Sequence, residues 1–235
     1  MDYTNMSGHY DVIMTSGYYD YKGIVDSLVN HKPFDCVLEI GCGTGLILEE
    51  LAKRDAQIKI TGVDLTQAML DIAQKRLGKF PSIELSEQNV VHFDLQKQFD
   101  LAFSYGGVWY FVIDGDNEPF MVSHIPEDAP NEEGLHQLSK HVQSGGQLLL
   151  GIQGPHHDYE RPISNGMIYS QKILPRERGF IKHYYLNDGP NKVMEQTVTY
   201  RTYSFEESLK MLSDNGFEYV PNSDAGKKFL SFKKR

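Results

Sequence analysis

The residues with the clearest chemical meaning are Gly41-Cys42-Gly43-Thr44-Gly45, three glycines at alternate positions directly after the apolar run Val37-Leu38-Glu39-Ile40. A glycine-rich turn lets backbone approach a ligand closely and accepts dihedrals that side chains disfavour. A dinucleotide fold asks for G-x-G-x-x-G, but Leu46 stands where the last glycine would be. A phosphate-binding loop asks for Gly-Lys-Ser/Thr, which the sequence lacks. Glu39, an acid just ahead of the turn, would repel pyrophosphate and suits a ligand bearing an ammonium group. Asp64 closes the next apolar run, 19 residues after Gly45, where a carboxylate can accept both hydroxyls of a ribose. These residues describe a nucleoside joined to an amphoteric group rather than to phosphates.

Other residues suit a second reactant. His156 and His157 follow the apolar run 146–153, and an imidazole there can take a hydroxyl or ammonium proton near neutral pH. A solvent-exposed pair in the loop GPHHD is the competing account. Trp109 and Tyr110 can form an apolar wall or grip a cation by their ring faces, against simple core packing.

Alternating elements must position these groups. Strands are expected at 36–41, 58–65, 82–90, 99–106 and 146–153, with helices at 45–54, 66–80 (capped by Thr66) and 132–146 between them. Such alternation implies a parallel sheet with helices on both faces. The segments MIYSQKIL, FIKHYYLND and KVMEQTVTYRTY are β-branched and aromatic, with the turn NDGPN at 187–191, and predict an antiparallel addition. A last helix over 204–217 carries a Ser204/Glu207 capping box and a closing Gly216. FEYVP and KKFLSFKK then complete the sheet as an antiparallel edge. The expected division is one domain over 1–235: lid helices at 1–34, a cofactor-binding core at 35–153, a β-rich insertion at 154–203, and the last helix with edge strands at 204–235.

Composition narrows the class. The chain has 235 residues, 40% hydrophobic and 23% charged, ordinary for a globular protein. No window approaches the roughly 20 apolar residues that span a bilayer, so no membrane partner is expected. MDYTNMSGHYD carries neither the basic nor the apolar region of a signal peptide, which predicts a cytoplasmic location. Cys36 and Cys42 lie too far apart along one extended segment for a disulfide, and no cysteine or histidine pairs at ligand spacing predict a metal. The net charge of −9 argues against a nucleic-acid surface. Residues 98–139 contain acids but no Lys or Arg, which reads as a solvated acidic loop or as an attractor for a cationic substrate.

VLEIGCGTG and ITGVDLT together resemble the first and second motifs of the class I S-adenosylmethionine-dependent methyltransferases. The resemblance runs from about Tyr10 to Gln153 and more loosely beyond. It implies a Rossmann-like seven-stranded mixed sheet with helices on both faces, an N-terminal helical lid, an antiparallel β insertion after the fifth strand, and S-adenosyl-L-methionine as cofactor. Carried over, Gly41, Gly43 and Gly45 would face the methionine moiety, with Glu39 holding the loop or the amino group. Asp64 would take the ribose hydroxyls, and Leu65 and Met69 would pack on the adenine. The family's third motif, usually Gly-Asp, stands here as Gln88-Asn89-Val90, so Asn89 would offer an amide oxygen and Val90 its backbone amide. Ser104 and Tyr105 would line the sulfonium side, with Tyr105 beside His156 and His157 as catalytic candidates. Tyr10 and Tyr21 would close the lid, while Tyr18 and Tyr19 read as half-buried packing.

The Asn/Asp-Pro-Pro-aromatic signature of enzymes methylating nucleic-acid amines is absent, and SYGGVWYF stands in its place. The expected partner is therefore a small-molecule acceptor rather than nucleic acid, with a homo-oligomer left open. The β insertion resembles that of enzymes methylating amino sugars, glycine-like amines and other small metabolites. The expected function is N- or O-methylation of such an acceptor in a biosynthetic pathway. A non-catalytic S-adenosylmethionine-binding module and a nicotinamide-dependent oxidoreductase are the alternatives.

Overall fold

Apolar runs of five or six residues become the central strands, and amphipathic stretches become the helices that cover them. The computed structural model describes residues 3–31, 33–221 and 228–235. In chain order these form α1 (Thr4–Thr15), α2 (Tyr21–Val29), β1 (Cys36–Ile40), α3 (Leu46–Arg54), β2 (Lys59–Asp64), α4 (Gln67–Leu77), β3 (Ile83–Glu87) and β4 (Phe99–Ser104). There follow β5 (Trp109–Val112), β6 (Phe120–Ser123), α5 (Asp128–His141), β7 (Val142–Gln153), β8 (Tyr159–Pro162), β9 (Ile168–Arg176), β10 (Gly179–Asp188) and β11 (Asn191–Tyr203). The chain ends in α6 (Phe205–Asp214), β12 (Phe217–Val220) and β13 (Phe229–Lys234). Residues 1, 2 and 32 of the expected lid, and Lys227 at the start of the expected edge segment, lie outside the described residues.

The expected core is present. β3, β2, β1, β4 and β7 run parallel in that order. β13 adds antiparallel to β7, and β12 to β13, which makes seven strands. β1 lies between β2 and β4, so the chain leaves it in one direction and later returns to its other side. The carboxyl end of β1 is thus the switch point where such sheets bind ligands.

The sheet is larger than seven strands. β5 pairs parallel with the end of β7 (Phe111 with Ile152), β6 pairs with β5, and β11 pairs with β6. The insertion strands β11, β10, β9 and β8 continue outward, giving a 13-stranded sheet. β5 and β6 escaped the sequence reading because they are only four residues long and lie inside the acidic stretch. They are what welds the insertion to the core.

Two local expectations are corrected. The helix expected over 132–146 ends at His141, because strand pairing of Val142 with Phe99 captures the chain immediately. Thr66 makes no side-chain cap to α4; its Oγ1 accepts the Tyr3 N–H at 3.1 Å and so ties the lid's start to the core. The Ser204/Glu207 capping box forms as expected. Both cysteines are free thiols.

α1 packs over β11, burying Met6, Ile13 and Met14 among Tyr110, Val122, Tyr184, Val198 and Tyr200. The lid helix and the insertion sheet therefore share one aromatic core beside the switch point.

Candidate active site

The glycine turn is held by the strand next to it. The amides of Gly41 and Cys42 both donate to the Val63 carbonyl, at 2.8 and 3.0 Å. The three glycines do different work. A Cβ on Gly41 (φ +76°) would sit 2.9 Å from Gly107 Cα, so two backbones cross there at contact. A Cβ on Gly45 (φ +77°) would strike Leu77 Cδ1 at 2.7 Å, so this glycine seats α3 against α4. At Gly43 (φ +53°) the nearest atoms are in the Tyr10 ring, 3.9–4.0 Å away, which leaves a cradle between turn and lid.

Asp64 organises that cradle. Its Oδ2 accepts the Gly43 N–H and its Oδ1 the Thr66 N–H, both at 2.8 Å. Burial pushes its carboxyl above the ordinary value, opposed by these two amides. The turn is also latched to the lid: Thr44 Oγ1 donates to Asp11 Oδ1 at 2.6 Å, and Arg76 bridges Asp11 and the Thr44 carbonyl. Asp11, Thr44 and Arg76 were not singled out from sequence, since nothing marks residues so far apart as partners. Behind the turn, Glu39 is 2% exposed, and its Oε2 has no hydrogen-bond partner among the described residues. Burial first, then Asp64, raises its carboxyl well above the usual range.

A cavity of about 280 Å³ starts at this turn and ends in a chamber of aromatic rings. Gly41, Gly43, Asp64, Leu65, Thr66, Met69, Gln88, Asn89 and Val90 line one half. Tyr3, Tyr10, Tyr18, Tyr110, His124, Tyr169, Lys182, Tyr184 and Tyr200 line the other. In the second half Tyr200 Oη meets Tyr184 Oη at 2.7 Å and Tyr3 Oη at 3.2 Å. His124 Nδ1 has no partner among the described residues, and burial holds its imidazole down at about 4. Lys182 is 2% exposed, and burial pulls its ammonium down to about 7.

Residues 37–122 match the family model described as a methyltransferase domain. That segment of the chain is therefore similar to methyltransferase domains. The chain is 35% identical over 144 residues to a malonyl-[acyl-carrier protein] O-methyltransferase of Halalkalibacterium halodurans, covering 61% of this chain and 48% of that one. The chain thus spans about half the length of that relative, and 25–27% of two others of the same name. The fold resembles an S-adenosylmethionine-dependent methyltransferase from Clostridium acetobutylicum (TM-score 0.71, 18% identity, 97% of both chains). It also resembles CalS10, an amino pentose methyltransferase from Micromonospora echinaspora (TM-score 0.70, 17% identity, 96% of both chains).

The expected site residues divide. Tyr10, Gly41, Gly43, Asp64, Leu65, Met69, Asn89, Val90 and Tyr110 come together on the cavity wall. Asn89 arrives with its Oδ1 already accepting the Val91 N–H at 3.0 Å. Glu39, Gly45, Tyr21 and Ser104 do not reach the wall. Ser104 Oγ is buried without a partner among the described residues, close under Gly107. Tyr21 packs edge-on to Tyr19, its phenol raised by burial and then by Asp11 and Glu39.

The expected catalytic residues are the main correction. His156, His157 and Tyr105 line a separate cleft, divided from the cavity by Tyr18, Tyr19 and Gln153. Gln153 Nε2 donates to Tyr19 Oη at 2.9 Å across that partition. Burial, helped by Lys182, lowers His156 to about 3, so it stays neutral and weakly basic near neutral pH. His157 is exposed, and Tyr105 is wedged between Tyr19 and Phe229. The reason is topological: β7 pairs with β5 to its end, so the loop after it leaves on the far side of the partition. Trp109 is also in the core, fully buried, with its Nε1 donating to Asn131 Oδ1 at 2.8 Å.

The acids of the 98–139 stretch stay off the cavity as well. The stretch contributes Gly106, Gly107, Val108, Tyr110, His124, Ile125, Pro126 and Pro130 to the wall, but none of its described carboxylates. Asp128 faces outward into a network with Arg201, Arg178 and Tyr203. Among the described residues no three His, Cys, Asp or Glu side chains gather as a metal site, and no helix is long and apolar enough to cross a membrane.

Proposed function

We propose that this chain transfers the methyl group of S-adenosylmethionine to a nitrogen or oxygen of a small-molecule acceptor, as a step in a biosynthetic pathway. The observation that carries the reading is one cavity with two unlike halves, a glycine-and-carboxylate cradle continuous with an aromatic chamber.

The residues present fit the cofactor. The cradle over Gly43 has room that a side chain would fill, and Glu39 keeps a buried carboxylate oxygen unpaired two residues before the turn. Asp64 would hold the ribose, Leu65, Met69 and Val90 the adenine, and the Gly41–Gly43 backbone the amino-acid end. When bound, the sulfonium supplies an electrophilic methyl carbon. The chain's own contribution is then positioning and exclusion of water, the terms that dominate a displacement with little covalent work for the protein. Tyr10 shields the cradle, and the Asp11–Thr44–Arg76 contacts hold α1 down over it. His124 lines the same wall as a neutral imidazole, its Nδ1 without a hydrogen-bond partner among the described residues.

Calorimetry with S-adenosylmethionine and S-adenosylhomocysteine tests the reading. Binding at a one-to-one ratio is expected, and a folded chain that binds neither would overturn it.

A further inference from the structure

Lys182 lies where the strand pattern calls for an apolar residue. β10 alternates strictly, with Phe180, Lys182, Tyr184 and Leu186 all buried on one face. An ammonium on such a face costs several kcal/mol unless something compensates it. No carboxylate does so here: among the described residues the Lys182 side chain forms no ion pair and no hydrogen bond. Its Nζ instead stands 5.5 Å from the ring centre of Tyr200, 5.7 Å from Phe180 and 6.0 Å from Tyr184. Ring faces favour the cation without neutralising it, and Lys182 also forms part of the cavity wall.

The groups around it point the same way. Tyr3, Tyr184 and Tyr200 carry three hydroxyl protons but make only two contacts with one another, so one O–H remains to donate. His124 packs on Tyr200 at 4.7 Å and is held neutral. Among the described residues the only carboxylate on the cavity wall is Asp64, and it belongs to the cradle half. The aromatic chamber therefore offers one positive charge, a free hydroxyl donor and no negative group.

We propose that the chamber recognises its acceptor through a carboxylate, paired with the Lys182 ammonium and hydrogen-bonded by the Tyr3–Tyr200–Tyr184 hydroxyls. This rests on the reading of the cavity as a cofactor cradle joined to an acceptor chamber. A single negative charge matches the single ammonium, whereas a phosphate dianion would bring a second buried charge with no partner. The acceptor is thus an amino or hydroxy acid, or a larger molecule ending in one, with its nucleophile turned toward the cradle. This runs opposite to the alternative in which the acidic stretch attracts a cationic substrate.

The test uses the full chain with 13C at lysine Cε, saturated with S-adenosylhomocysteine. Benzoate and, separately, inorganic phosphate are the probes. The Lys182 resonance is assigned by its loss in Lys182→Met, or in Lys182→Arg should the first variant fail to fold. Benzoate is expected to raise the titration midpoint of Lys182 by about one unit or more, as a close opposite charge does. Calorimetry is expected to show benzoate binding about tenfold weaker or worse in Lys182→Met, the scale of a lost charge-assisted hydrogen bond, and retained in Lys182→Arg. An unmoved Lys182 midpoint overturns the proposal, as does phosphate binding more tightly than benzoate. Repeating the benzoate titration without S-adenosylhomocysteine separates the two readings. If benzoate moves Lys182 while S-adenosylhomocysteine never binds, the cofactor reading falls and the carboxylate site stands; the opposite pair of results sinks only the carboxylate site.

Discussion

The two halves of the cavity are built on opposite plans. The cradle half uses backbone: its glycine turn, the Gly43 and Thr66 amides and one carboxylate come from two adjacent parallel strands. The aromatic half uses side chains, gathered from the residues before α1, from α1 and the loop after it, from β5, from the loop after β6, and from β9, β10 and β11. A backbone site depends on local conformation and tolerates little change at one or two positions. A side-chain chamber spreads its energy over many rings, so its sharpest dependence falls on the one charge it buries.

The largest expected effect lies in the backbone half. Gly43→Val places a β-branched side chain at φ +53° and fills the cradle, so S-adenosylhomocysteine binding should vanish in calorimetry while circular dichroism stays native. Gly41→Ala should act differently, lowering the melting temperature through its clash with Gly107. If both variants merely lower stability, the turn is structural and the contrast between the halves collapses.

The buried charge comes next. Because the native pKa of Lys182 is held near 7 against an ordinary 10.5, the unfolded chain keeps a proton that the native chain sheds between those values. Stability must therefore rise with pH across that window, and below about 7 the full cost of the buried ammonium stands. Relative to Lys182→Met, the wild type should gain about 1.4 kcal/mol per pH unit above pH 7 in denaturant unfolding. At pH 6 the variant should be the more stable, on the order of 2–4 kcal/mol. Parallel curves for the two proteins would mean that Lys182 is solvated and that the aromatic half is not the charged chamber described above.

Asp64→Ala should weaken S-adenosylmethionine binding by about 1.5–3 kcal/mol, the scale of hydrogen bonds to a charged group. Unchanged affinity in a folded variant would remove Asp64 from the cradle. The smallest effect is expected outside both halves. His156→Ala and His157→Ala should leave S-adenosylhomocysteine and benzoate affinities within about twofold, as substitutions away from the site do. A rate limb near pH 6.5 that disappears with either histidine would move the chemistry to the second cleft and break the comparison.

The difference between the halves also explains what could be read in advance. The cradle was legible because its parts are short-range: glycines at fixed spacing, an acid two residues before them, and Asp64 at the end of the next strand. Trp109 and the histidine pair misled because their residue types suit chemistry, while their positions depend on how β5 pairs with β7. Lys182 did leave a trace, a lysine on the apolar register of FIKHYYLND. Strict alternation over 179–188 puts that lysine on the inward face.

The sequence by itself determined the alternating strands and helices, the parallel sheet they imply, and the glycine turn after its first strand. These follow from periodicity and local backbone preference, which act over a few residues. Only the tertiary structure decided which side chains face one another across the chamber. Lys182 meets Tyr200, and Tyr200 meets His124, because β10 and β11 pair in one register, because β6 joins them to the core, and because α1 closes on top. Those contacts join residues far apart in the chain, and a one-residue slip in either strand would turn the whole set to the other face.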